Sequence, residues 1–235
     1  MLAIFAAACS PDETPAPKSP AASAGASGAV TADDIPVAHT PAAGYGLTFP
    51  PPVLATCTEP LVEGAPDLRG IWKTLHAERD GQPVPAGDYI HSYVERIEQC
   101  GNRIVDMGGG TIADARADGT VENGVRDVSA YDYVTPIQAV ASYEDGVFVL
   151  RPALFPALPF TVSWLKVTRR LDAEGHMIWT RPDRHLRVTL ERIGGPTDGY
   201  TKTDTRRPEG GPEPGTSQWR HRLRTLWAFY TASSD

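Results

Sequence analysis

The sequence predicts an all-β fold, an antiparallel up-and-down barrel of about eight to ten strands, within residues 67–193. Strand-like runs recur through this segment with turn signals between them. Several of those turns, Asp118-Gly119 among them, are strong hairpin signals. No long amphipathic helix interrupts the series. A meander of this length removes its edges by closing on itself. A two-sheet sandwich is the alternative, because periodicity alone does not separate the two.

The elements follow in order. Gly70–Glu78 opens the series and leads into the turn-rich stretch 79–88. Tyr93–Gln99 and Arg103–Met107 flank Cys100-Gly101-Asn102, a hairpin turn. Thr111–Ala117 and Thr120–Val128 flank Asp118-Gly119. Ile137–Tyr143 and Val147–Leu150 are joined by Glu144-Asp145-Gly146. Val162–Leu171 and His176–Thr180 are joined by the turn 172–175, and Leu186–Ile193 ends the series. In that last run Leu186, Val188 and Leu190 share one face, as a half-buried strand requires. The segment Arg151–Phe160 holds three prolines, which argue against a central strand. It reads as an apolar loop.

The flanks differ from this core. Residues 1–66 hold half of the 22 prolines and most of the net charge of -7. An acidic chain argues against a dedicated nucleic-acid binder. No apolar run reaches the ~18 residues of a membrane-spanning helix. Residues 1–9 run apolar from Met1, end in three alanines and stop at Cys9. A Pro/Ala/Ser/Gly stretch follows. Residues 10–66 therefore read as a disordered tether and lead-in, with too little to bury. An apolar run, small residues, Cys and a flexible tether together resemble a bacterial lipoprotein signal. The resemblance implies lipidation at Cys9 and a membrane anchor in the bacterial cell envelope. Resemblance to Gram-negative sorting patterns, with Ser10 rather than Asp after the Cys, implies the outer membrane, on its periplasmic side. Residues 194–235 read as a linker and a C-terminal amphipathic helix, in which Trp219, Leu223, Leu226, Trp227 and Tyr230 share a face. That helix either packs on the barrel or lies on a membrane surface.

Gly70-Ile71-Trp72 on the first strand, with Arg187 and Arg192 in or near the last, resembles the lipocalin family. There a G-x-W packs at the closed end of the barrel, and an Arg from the last strand stacks over the Trp. The hairpin Ile97–Val105 is similar to those of small bacterial lipocalin-like domains.

Cys57 and Cys100 remain after Cys9. An even pair in an exported chain reads as a disulfide; two free buried thiols are the alternative. Neither CxxC nor paired His spacing is present, so no metal site is expected. Tyr89, His91 and Tyr93, with His76, lie where a barrel mouth would be. The acids Asp114, Asp118, Glu122 and Asp127 cluster in sequence, but turn-rich hairpins place acids at turns by default, and they offer no clear catalytic pair. Gly108-Gly109-Gly110 lacks the Lys and helix of a phosphate loop. No catalytic residues and no cofactor are expected. An eight-stranded barrel can hold one small ligand. The expected function is binding of a small apolar or amphipathic molecule, with Phe155 and Phe160 on a lid. The alternative is an interaction or structural module that docks a protein partner through that loop or the C-terminal helix.

Overall fold

A computed structural model of the chain describes residues 29–41, 44–121, 126–128, 136–154 and 165–202. Among them run β1 (Gly70–Arg79), β2 (Gln82–Pro83), β3 (Val94–Cys100), β4 (Arg103–Gly108), β5 (Thr111–Arg116) and β6 (Arg126–Val128). They are followed by β7 (Pro136–Glu144), β8 (Val147–Leu154), β9 (Val167–Leu171), β10 (Met177–Arg181) and β11 (Leu186–Gly194). The helical elements among the described residues are short 3-10 turns of three or four residues. None is long and apolar enough to cross a membrane.

The strands form one antiparallel sheet in the order β5-β4-β3-β1-β11-β10-β9-β8-β7-β6, with β2 a spur on β1. The sequential hairpins lie side by side, and β1 pairs with β11 to join the two ends of the meander. The seam between β5 and β7 is bridged where Asp118 meets Ser142 and the Gly119 N–H donates to the Ala141 carbonyl at 2.8 Å. The result is a nearly closed antiparallel barrel.

Most strand ends fall within one residue of the sequence reading; the two-residue β2 lies in the stretch read as turn, and three strands differ by more than one residue. Between Thr120 and Val128 the described strand is only Arg126–Val128. Strand β9 starts at Val167, not Val162. Strand β8 runs through Pro152 to Leu154, part of the expected loop. Pro152 is tolerated because its pairing with β9 has already ended at Leu150. Its carbonyl accepts from Leu165 N at 3.2 Å, on the β9 side. Backbone N–H and C=O of one strand residue point the same way, so the missing donor costs no bond to β7.

Strands β3 and β4 are buried on both faces. Alternate residues Ile97 and Ile104 join the interior core with Trp72, Phe148, Met177, Val188 and Leu190. The opposite set, Val94, Cys100, Val105 and Met107, packs outside the barrel against Ala32, Phe49 and Leu54. The described lead-in residues, 30–41 and 44–66, thus form an outer layer, and the expected disorder does not extend to them. Polar anchors fix it. Arg103 donates to Ala32 O and Ile35 O at 2.7 Å each, to Pro36 O at 2.9 Å, and to both Asp114 oxygens at 2.8 and 2.7 Å. All five guanidinium protons are used. Glu98 accepts from Leu54 N at 2.7 Å, and Arg96 donates to Pro50 O at 2.6 Å. Residues 195–202, read as linker, return to this layer: Lys202 N donates to Leu47 O at 2.9 Å, and Thr48 bridges Thr201.

Candidate functional site

Alternation along the strands turns Glu95, Asp106 and Arg169 into the barrel. Glu95 shares its face with Ile97, Asp106 with Ile104, and Arg169 with Val167. Arg169 lies between Phe148 and Trp179 in the register of β8, β9 and β10. Its Nε donates to Glu95 Oε1 at 3.1 Å, and its Nη2 donates to Glu95 Oε2 at 2.7 Å and to Asp106 Oδ2 at 2.6 Å. The Tyr93 hydroxyl donates to Glu95 Oε2 at 2.8 Å, and its ring stacks on Trp179 at 5.2 Å between centroids and 12° between planes. Gly108 makes room for this tyrosine, since a Cβ there would run into the Tyr93 hydroxyl.

Buried charges persist only when paired. Burial pushes both carboxyls up, but the Arg169 charge and hydrogen bonds outweigh it at Glu95 and hold that group below the usual range. Asp106 has only one bond to Arg169 and faces the negative Glu95. Burial, opposed by Arg169 and reinforced by Glu95, raises it to about 7. Burial would lower Arg169, yet the two carboxylates hold it firmly charged. Lys202, lowered to about 8 mainly by burial, adds a positive charge felt by both acids.

Four buried polar atoms in this region have no hydrogen-bond partner among the described residues: Thr74 Oγ1, Asp106 Oδ1, Arg169 Nη1 and Trp179 Nε1. Thr74 belongs to the same level, since its N–H donates to the Tyr93 carbonyl at 3.1 Å.

Of the expected mouth residues, Tyr93 enters this cluster. Tyr89 packs against the core, and His91 Nε2 lies 3.1 Å from the carbonyls of Val84 and Pro85. His76 is exposed beside Glu78, outside the barrel, where a bulge near Leu75 shifts the strand's alternation. At the other interior level Trp72 Nε1 donates to Leu68 O at 2.7 Å, and the Arg192 guanidinium lies 4.7 Å from the Trp72 ring. Gly70 at φ +148° lets Arg192 cross, since a Cβ would meet its Cγ at 3.0 Å. Arg187 takes no part. It is exposed, because Leu186 and Val188 take the inward positions on either side of it.

Cys57 and Cys100 form a disulfide with Cα atoms 6.2 Å apart, tying the outer layer to β3. Cys57, Glu59 and Cys100 converge, but the bridge engages both sulfurs. Cys9, Phe155, Phe160 and the C-terminal helix lie outside the described residues. Glu95 and Asp106 stand within strands, apart from the acids between Asp114 and Asp127 that cluster in the sequence, and are not among the expected site residues. No protein-family model matches the chain, and no curated protein matches it.

Proposed function

We propose that this is an exported, lipid-anchored envelope protein whose lipocalin-like barrel binds a small amphipathic molecule. The observation that carries the reading is the Glu95–Arg169–Asp106 cluster inside a mostly apolar barrel, beside the Tyr93–Trp179 stack. Ligand sites are mostly apolar walls with a few placed polar groups, and this interior has that composition. The polar cluster favours an amphipathic ligand over a purely apolar one. Arg192 over Trp72 supports the lipocalin resemblance. The Cys57–Cys100 bridge supports an oxidising compartment, and the Cys9 context supports the anchor.

Two experiments test the two halves. Titration with the neutral amphipathic dye N-phenyl-1-naphthylamine should give saturable uptake near one dye per chain. Absence of saturable uptake would count against the binding half. Metabolic labelling with a fatty-acid probe should mark the wild type and spare Cys9→Ala. Equal labelling of both would sink the anchor.

A further inference from the structure

The interior cluster is an incomplete fork. A guanidinium binds a carboxylate best through two parallel N–H···O bonds. Glu95 takes that arrangement on the Nε/Nη2 side of Arg169. Asp106 uses a single oxygen on Nη2. Arg169 Nη1 and Asp106 Oδ1 are both left without a partner among the described residues, though the two side chains touch. Arg169 is 3% exposed and Asp106 9%, so neither atom is simply facing bulk water. A buried donor or acceptor left alone is destabilising, and here one of each stands on the same ion pair.

The charge around them narrows what completes the fork. An anionic head would sit against Glu95 and Asp106. A cationic head would sit against Arg169. A neutral group with one acceptor and one donor satisfies both atoms without adding charge. Ala113 stands directly opposite Asp106 in the β4–β5 register, and the short side chains of Ala115, Ala139 and Ala141 face the same interior.

We propose that the barrel's ligand carries a neutral donor–acceptor head of carboxamide type, whose carbonyl accepts from Arg169 Nη1 and whose N–H donates to Asp106 Oδ1. Its apolar part lies along the alanine side chains. This rests on the ligand-binding reading above and specifies the ligand's chemistry.

The test is calorimetric titration of the intact protein with four probes of one chain length: octanamide, methyl octanoate, octylammonium and octanoate. Octanamide should bind tightest, by about tenfold over methyl octanoate, the margin one satisfied hydrogen bond supplies. In Asp106→Asn the amide nitrogen replaces the Oδ1 acceptor, so the margin should shrink below about threefold while methyl octanoate still binds. The proposal is overturned if the four heads bind the wild type within about threefold of one another, as with a water alone between the two atoms, or if a charged head binds tightest. If no probe binds at all, the ligand-binding reading falls and this inference with it. The wild-type ranking decides the question even if Asp106→Asn fails to fold.

Discussion

At Asp106 the physics makes a signed, measurable claim. Its folded-state value of about 7 lies above the ~3.9 of an unfolded Asp. Between those values the folded protein holds a proton that the unfolded chain has released. Stability from this group is therefore greatest below about pH 4 and is lost as pH rises toward 7. Glu95 has the opposite sign, because its value is lowered: its contribution is present above ~pH 4.3 and lost as pH falls. Urea unfolding at pH 5 and pH 8 should show a fall in wild-type stability that Asp106→Asn largely lacks; an equal fall in both would contradict the assignment. Gly108 makes a second residue-scale claim. Gly108→Ala should cost about 1–3 kcal/mol by overpacking against the Tyr93 hydroxyl. The cost should shrink in a Tyr93→Phe background, as a double-mutant cycle would measure. The sequence carried a legible sign of this site at Arg169, which shares strand parity with Val167 and Leu171 and so stands on an apolar face. Glu95 and Asp106 were harder to read. Their hairpin carries charges on both faces, so alternation gives no inside or outside.

At the scale of elements, the β3–β4 hairpin explains why. A strand with one wet face alternates, but this hairpin is covered inside by the barrel and outside by the lead-in. Its outward charges, Arg96, Glu98 and Arg103, anchor the lead-in backbone where a free surface would leave them solvated. Arg103→Ala should cost about 3–5 kcal/mol, because it leaves Asp114 buried and unpaired. Limited proteolysis should then cut faster within residues 29–66 than in the wild type; unchanged cutting would contradict the anchoring role. The disulfide acts on the same layer. Closing a loop across a sequence separation of 43 contributes about 4 kcal/mol in the chain-entropy picture. Reduction should lower the melting temperature and expose the same segment. Strand positions were legible where tight turns punctuated them. The ordered lead-in was not, because its Phe49, Leu54 and Ala32 are spaced by prolines and turns rather than by a strand or helix period.

Over the whole molecule, the circular strand order followed from the hairpins, since each tight turn forces neighbours to pair. The closing pairing of β1 with β11 joins elements more than a hundred residues apart, and no local signal marks it beyond Gly70-Ile71-Trp72 and Arg192. The charge partition changes meaning too. Part of the acidity of residues 1–66 belongs to a packed layer, where Asp33 meets Arg116 and Glu59 accepts from Ala32 N at 3.0 Å. Among the described residues the molecule is thus a nearly closed barrel with an outer wrap on one side and a charged interior in which Arg169 Nη1 and Asp106 Oδ1 have no partner. The central claim is that this interior holds a small amphipathic molecule. Native mass spectrometry of the protein purified from cells that produce it naturally addresses it most directly. One small molecule per chain should co-purify, be released on denaturation and be depleted when Arg169 is replaced by Leu in a folded variant. A wild-type mass equal to that of the bare polypeptide, with or without covalent modification, and nothing released on denaturation, would contradict it.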